Sequence, residues 1–213
     1  MNIKPLLFLP SARDIPEVKE AVDKLKIDKL WVKNHNQQEA YMVARDWFLY
    51  EKEYTHLIIN PDDLIVRKQD IDLLLKSKHN SVISGWCIHG KSPENRKGLD
   101  TNVSYKHPEV YISPIVLDYN YYEFIPIADI KDGITKVGFS GFAPTVIPRR
   151  IVKKIRFRTS FGCCVDSCFS QDLTDNKIPQ WVDFRVQTIE IEATDPELLQ
   201  VGKKEKEIIF VPS

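Results

Sequence analysis

Glycine is scarce in this chain: there are eight in 213 residues, and none gathers into a Gly-rich turn between a strand and a helix. A Rossmann dinucleotide site and a P-loop both need such a turn, because glycine lets backbone amides close around phosphate. Both are set aside. An excess of charge of one sign is also lacking, since 30 Lys and Arg balance 30 Asp and Glu. The overall balance offers no attraction to nucleic acid or to an anionic membrane. No apolar run approaches the ~20 residues of a membrane span. The opening MNIKPLLFLP has a single Lys and an uninterrupted apolar run of only four before Pro10, too short for a secretory signal. A cytoplasmic protein is expected. Cysteine is sparse too, with Cys87, Cys163, Cys164 and Cys168. The last three lack Cys-x-x-Cys spacing and have no His near them, so thiols are expected rather than zinc. A disulfide in a thermophilic setting stays open. The sequon Asn102-Val103-Ser104 has no meaning inside a cell. There is no internal repeat and no low-complexity segment.

What is present is a globular composition, 43% hydrophobic and 28% charged, in a chain long enough for one large domain. Ile3 to Leu9 reads as a first strand, and a helix follows from the Asp14-to-Glu17 start with Ile15, Val18, Val22 and Leu25 on one face. Asp28 to Lys33 reads as a second strand. A second helix begins near Gln37, with Ala40, Ala44, Trp47 and Phe48 at helical spacing, and Tyr54 to Ile59 is a third strand. This β-α-β-α-β order implies parallel strands. A helix over Gln69 to Lys76 and a strand over Ser81 to Cys87 come next. Gly90 to Thr101 reads as a polar loop and Asn102 to Ile130 as strands and turns. Short helices are expected from Pro148 to Lys154 and from Val165 to about Leu173. Trp181 to Ile191 is extended in pattern, and the charged tail from Thr194 stays irregular until the apolar Ile208 to Val211. Both halves are expected to share one sheet, as a single domain over 1–213.

The informative stretch is HLIINPDDLIV, from His56 to Val66. A β-branched run ends abruptly in Asn60-Pro61-Asp62-Asp63, and Pro61 weakens strand pairing there. Two adjacent carboxylates at the mouth of a buried strand repel each other unless they are solvated or share a cation. Strand ends of this kind are where ligands bind in open α/β sheets. An acidic turn with no ligand is the plainer alternative. Arg149, Arg150, Lys153, Lys154, Arg156 and Arg158 form a basic run, either a solvated face or a patch for an anionic substrate or a membrane surface.

Together these stretches resemble the GT-A glycosyltransferases of the family-2 type, and also the small glycosyltransferases of viruses of thermophilic archaea. Leu9-Pro10-Ser11-Ala12-Arg13 is similar to the first-strand loop that holds the nucleotide. Ala44-Arg45-Asp46 is similar to the Ala-Arg-Asn that precedes the metal motif. Ile59-Asn60-Pro61-Asp62-Asp63 resembles the Asp-x-Asp motif, with Asn60 in the first acidic place. Gly138-Phe139-Ser140-Gly141-Phe142, followed by Cys164-Val165-Asp166-Ser167-Cys168-Phe169, resembles the acceptor-side Gly segment and the acidic base of inverting members. Two departures stand out: Asn60 removes one charge from the motif, and no His follows the last strand, where Glu190 stands instead.

The resemblance implies an α/β GT-A fold with a mixed, mostly parallel sheet, its first 88 residues binding nucleotide and residues 89–213 the acceptor. It implies transfer of a sugar from a nucleotide-diphosphate donor to a hydroxyl of a saccharide or glycoprotein, with inversion and with Mn²⁺ or Mg²⁺ assisting. Pro10, Ser11, Arg13, Asn34, Arg45 and Asn60 would contact the nucleotide, Arg13 and Arg45 pairing with its diphosphate. Asp62, Asp63 and Glu190 would hold the cation, which neutralises the departing diphosphate. Asp166, in a setting of cysteine, Val165 and Phe169, would accept the acceptor proton, its pKa raised by that setting. An N-cap is the other role open to it. Trp86, Gly141 and Phe142 would line the acceptor side, with Trp86, Phe142 and Trp181 as stacking platforms. If the protein is viral, the compartment is the host cytoplasm. Two other readings stay open: a non-catalytic binding protein on the same frame, and a nucleotidyltransferase, although the first loop lacks the glycines that a triphosphate loop needs.

Overall fold

Alternation of apolar side chains along the strands decides the layering. In the computed structural model, which describes residues 3–77, 80–89, 107–108, 110–111, 132–191 and 198–213, successive residues of each central strand enter different cores. Leu6, Phe8, Leu30, Val32, Leu57, Ile59, Val82 and Ile147 join one core, while Leu7, Leu9, Trp31, Ile58, Ile83 and Val146 join the other. A sheet apolar on both faces must be covered on both faces.

The elements run β1 (Pro5–Ser11), α1 (Pro16–Asp23), β2 (Asp28–Lys33), α2 (Gln37–Tyr50), β3 (His56–Ile59), β4 (Leu64–Ile65), α3 (Lys68–Ser77), β5 (Val82–Trp86) and β6 (Ile88–His89). They continue with β7 (His107–Pro108), β8 (Val110–Tyr111), β9 (Ile134–Val137), β10 (Phe139–Ser140), β11 (Thr145–Pro148), α4 (Arg149–Lys154), α5 (Val165–Asp175), β12 (Gln180–Gln187), β13 (Ile189–Glu190) and β14 (Glu207–Val211). Residues of α2, α4 and α5 fill the first core, and residues of α1 and α3 the second. Strands of both halves form one eight-stranded sheet in the order β14-β2-β1-β3-β11-β5-β12-β9.

The expected parallel frame is present: β1 pairs in parallel with β2 and with β3, and β12 with β5. Two strands depart from expectation. Thr145–Pro148 inserts antiparallel between β3 and β5, where only a helix start at Pro148 was expected; Pro148 instead sits at the N-cap, ahead of Arg149. The tail runs antiparallel along β2, so Glu207–Val211 forms the sheet edge. The loop expected over Gly90 to Thr101, the strands over Asn102 to Ile130 (save the short β7 and β8) and the sequon lie outside the described residues.

Three arginines of the basic run bind other parts of the fold. Arg149 donates from Nη1 to the carbonyls of Phe48 (2.8 Å), Glu51 (3.0 Å) and Tyr54 (3.0 Å), and from Nη2 to Leu49 (2.8 Å). It closes the C-terminus of α2, where carbonyls lack helical partners. Arg158 forks onto Asp172 (2.6 and 3.0 Å), and Arg150 donates to the Asn80 carbonyl. No helix of the described residues is long and apolar enough to cross a membrane.

Gly85 marks a close approach between two strands. A Cβ there would lie 2.7 Å from Val186 Cγ1 and 2.8 Å from the Val186 carbonyl oxygen. That neighbour belongs to β12, whose pairing with β5 shifts register between Val182 and Gln187. A strand-bound carbonyl cannot step aside as a side-chain tip can. Gly85→Ala is expected to cost about 1–3 kcal/mol in urea unfolding. A loss below ~0.5 kcal/mol would mean that the two strands slide apart freely.

Candidate functional site

Three parallel strands end side by side, and the chain leaving each turns across one cavity of about 430 Å³. Pro10 to Arg13 carry the end of β1 into its loop, His35 and Gln37 follow β2, and Pro61 to Leu64 follow β3. This is the carboxyl edge of the sheet, where an open α/β fold leaves a crevice. The volume suits a small ligand. Gln37, Ala40 and Tyr41 bring the first turns of α2 to the rim, with Asn36 capping it by accepting from Glu39 N (2.9 Å). A helix start offers positive potential to an anion.

Asn60 builds the acidic turn. It is fully buried, and its Nδ2 donates to the carbonyls of Pro61 and Leu64, both at 3.0 Å. Its Oδ1 has no hydrogen-bond partner among the described residues. Asn60 does not line the cavity, so its expected contact with nucleotide gives way to holding the turn that carries Asp62 and Asp63.

Arg13 closes over both aspartates. Its backbone N–H donates to Asp62 Oδ2 (2.6 Å), its Nε and Nη2 donate to Asp62 Oδ1 (3.1 and 2.5 Å), and Nη2 donates to Asp63 Oδ2 (2.7 Å). Burial works against the charge on Arg13, yet the bonds and charges of Asp62 and Asp63 outweigh it and hold the guanidinium above its ordinary range. Asp63 behaves differently. Burial pushes its carboxyl up; Arg13 opposes this, while the charges of Asp62 and Glu190 add to it. Glu190 reaches the same cavity because β13 pairs with β4, placing Glu190 opposite Leu64, and Ile191 N donates to the Asp63 carbonyl (2.7 Å).

Asp166 lines this cavity as well, from the first turn of α5. The N-cap position belongs to Cys164, so Asp166 is not the cap. Asp166 Oδ1 accepts from Ser167 N (2.7 Å) and from the Cys164 thiol (2.6 Å). Burial and the Asp166 charge push that thiol up to about 11, so it remains a donor at neutral pH. All four cysteines are thiols outside any disulfide.

Tyr41, which the sequence reading passed over, lies among these acids. Burial drives its phenol far above the ordinary range, and the charges of Asp166, Asp62 and Asp63 push the same way. Its ring stacks on Phe142 (5.2 Å between centroids) and meets the edges of Phe8 and Phe157. Tyr41 follows Ala40 among the buried residues of α2, a spacing that reads as core. His35 is a second omission. Its Nδ1 lies 2.7 Å from the Lys33 carbonyl, which leaves Nε2 as an acceptor. Leu199 and Val201 of the tail complete the wall, anchored by Asp14 N to the Leu198 carbonyl (3.2 Å) and Gln200 N to the Ala12 carbonyl (2.8 Å).

Several expected contacts are not at the cavity. Arg45 lies on the far side of α2, donating from Nε to the carbonyls of Val152 (3.1 Å) and Ile155 (3.3 Å) and from Nη1 to Asp46 (3.1 Å), so it ties α2 to α4 rather than meeting diphosphate. Asn34, in the left-handed region at φ 62°, gives its Nδ2 to the Glu205 carbonyl (2.6 Å) instead of a base. Trp86 is buried, its indole N–H bound to the Phe184 carbonyl (2.9 Å). Gly141 and Trp181 do not line the cavity, whereas Phe142 does.

The donor chemistry fits a divalent cation by charge. Asp62, Asp63, Glu190 and Asp166 line the cavity together with Arg13, and oxygen donors suit Mg²⁺ or Mn²⁺. It is not a ready cage: both oxygens of Asp62 are already bonded to Arg13. Among the described residues no cluster of three His, Cys, Asp or Glu is disposed to grip an ion.

No family model matches the chain, and no curated protein matches it. Among solved structures it is similar to A197 from STIV, with a TM-score of 0.61 and 16% identity over 99% of this chain and 95% of that one. It is also matched to the inositol-1-phosphate CTP transferase from T. maritima, with a TM-score of 0.49 and 10% identity over 92% and 91%. The first likeness shows a shared mixed α/β fold; the second is too weak to carry an argument.

The raised Asp63 carboxyl has a measurable consequence. Such a group supports the fold fully below its unfolded pKa, and that support is lost as pH rises through the folded value. Asp63→Asn is expected to match the parent at acid pH and to melt at a higher temperature near neutrality. Melting curves from about pH 3 to about pH 8 span the carboxylate range. A parent more stable than the variant at neutral pH would show that the pair with Arg13 outweighs burial and repulsion.

Proposed function

We propose that this chain transfers a sugar from a nucleotide-diphosphate donor to a hydroxyl of a saccharide or glycoprotein acceptor, with inversion, on a frame of the GT-A kind. The observation that carries the reading is that Asp62, Asp63 and Asp166 line one cavity over the carboxyl ends of β1, β2 and β3. A leaving diphosphate needs positive charge beside it, and an attacking alcohol needs a base within reach of the same carbon. The first half of the chain would hold the nucleotide and the second half the acceptor.

In this reading the base and ribose lie along Pro10, Ser11 and the His35 rim. The diphosphate lies at Arg13 and the first turn of α2, where N–H groups and guanidinium favour anions. A divalent cation held by Asp62, Asp63 and Glu190 supplies Lewis-acid stabilisation of the diphosphate when bound. Tyr41 and Phe142 form an apolar floor under the sugar and exclude water.

Asp166 Oδ1 is spoken for by Ser167 N and the Cys164 thiol, which fixes the carboxylate plane and leaves Oδ2 for the acceptor hydroxyl. As the acceptor oxygen bonds the anomeric carbon, its proton passes to Asp166. The carbon–oxygen bond to phosphate breaks on the other face, and its electron pair leaves with the nucleoside diphosphate. One displacement inverts the anomeric centre.

Asp166→Asn keeps the shape of the carboxylate and its backbone bond but cannot take the proton. Transfer is expected to fall by ~10²–10⁴-fold, with nucleotide affinity unchanged by calorimetry. Unaltered transfer removes Asp166 from the chemistry. A donor that is never bound nor slowly hydrolysed by the parent, with Mn²⁺ present, would favour a non-catalytic binding role.

A further inference from the structure

Three cysteines crowd the start of α5, and the proposed chemistry uses only Cys164. Cys164 is the N-cap, so Cys163 stands just before the helix and Cys168 at its fourth position. Side chains at these two positions pack on each other across the first turn, as a hydrophobic staple. Here both partners are thiols, and they share a hydrogen bond. We propose that Cys163 and Cys168 form an oxidation site, a dithiol that closes to a reversible disulfide and makes the staple covalent.

Three observations support it. The first is placement. A tight turn presents Cys163: Ser160 N donates to the Cys163 carbonyl (3.3 Å), Cys163 N donates to the Ser160 carbonyl (2.9 Å), and Gly162 sits between them at φ 74°. Cys168 is fixed by the helix, its N–H donating to the Cys164 carbonyl (3.1 Å). The chain ahead of the turn is held as well, by Thr159 N on Gln38 Oε1 (3.1 Å) and by the Arg158 fork on Asp172. A disulfide forms readily only where the backbone already brings two sulfurs together.

The second is access. Cys163 is half-buried and within reach of a small oxidant, whereas Cys168 is buried. Burial pushes the Cys168 thiol up; Arg158 opposes this, while Cys163 and Asp172 add to it. Cys163 therefore meets the oxidant first, and Cys168 resolves the product. The third is the exclusion of Cys164. Its thiol is committed to Asp166 Oδ1 (2.6 Å) and stays protonated at neutral pH, which makes it a poor nucleophile. A bridge between adjacent Cys163 and Cys164 would also close a small ring around one peptide bond and strain its planarity.

Hydrogen peroxide is a sufficient oxidant. The Cys163 thiolate attacks a peroxide oxygen, the O–O bond breaks, and a sulfenic acid forms as hydroxide leaves. The Cys168 sulfur then attacks the Cys163 sulfur, the S–O bond breaks, and water leaves with the Cys168 proton. The proton first lost by Cys163 neutralises the hydroxide. Both thiols are oxidised and the peroxide is reduced to water; a small dithiol reverses the bridge by exchange. The bridge spans the turn that carries Asp166 and leaves its carboxylate untouched, so it tightens that wall whatever the cavity binds.

The test takes the full chain, reduced with dithiothreitol and then treated with stoichiometric hydrogen peroxide. Remaining thiols are alkylated, and the chain is cut on the amino side of Asp166, which parts Cys163 and Cys164 from Cys168. Mass spectrometry should find the two fragments joined through Cys163 and Cys168, with Cys164 alkylated. The joined species should persist in Cys164→Ser, vanish in Cys163→Ser and revert with dithiothreitol. Oxidation should raise the melting temperature of the parent by about 5 °C, as a short closed loop implies, and leave Cys163→Ser unmoved. No bridge, a bridge through Cys164 or Cys87, a bridge between two chains, or a bridge without a rise in melting temperature overturns the proposal. Should Cys163→Ser not fold, the parent and Cys164→Ser decide it by the same fragments.

Discussion

Two neighbouring carboxylates at the end of a buried strand cannot stand without a positive partner, and much of the candidate site can be read as the way this chain meets that constraint. Asp62 and Asp63 sit where β3 leaves the sheet. Asn60 ties the turn beneath them, and Arg13 reaches over from the end of β1. That reach is short because β1 and β3 are adjacent and parallel, so both loops emerge at one edge. Glu190 adds a further charge through the pairing of β13 with β4. Asp62, Asp63, Glu190 and Asp166 thus share one cavity with the Arg13 guanidinium.

The frame that holds this edge is stiff for ordinary reasons. Each central strand feeds two cores, one on each face, so a register slip would expose both. Arg149 closes α2 by taking up carbonyls that the helix end leaves over, and Arg45 ties α2 to α4. α2 is therefore fixed at its far end while its first turn faces the cavity. Tyr41 and Phe142 are held by Phe8 and Phe157 beneath them. The site lies on elements whose own positions are over-determined, which chemistry at a single carbon requires.

Where the sequence reading succeeded, the signal was local. The strand at Asp28 to Lys33 and the helix from Gln37 carry strong periodicity and a capping Asn36, and the turn at Asn60 to Asp63 is marked by Pro61. Asp62, Asp63, Arg13, Glu190 and Asp166 come together although 177 residues of sequence separate Arg13 from Glu190. Where it failed, the determining contact was distant. β11 is four residues long and buried throughout, so no alternation marks it. Arg45 and Asn34 match a motif by position, but their side chains turn to carbonyls of Val152 and Glu205, which no local pattern reveals. The tail at Leu198 to Val201 reads as polar and irregular, yet it walls the cavity by backbone bonds to Ala12 and Asp14. Tyr41 is core with one edge at the cavity, so its spacing alone does not mark it.

The most direct measurement is a crystal structure of the chain soaked with Mn²⁺ and a mixture of nucleoside diphosphates. The account expects an anomalous peak for manganese among Asp62, Asp63 and Glu190, with the diphosphate against Arg13 and the Asp166 carboxylate facing the vacated sugar position. A diphosphate bound elsewhere, or an Asp166 carboxylate turned away from the sugar position, would contradict it.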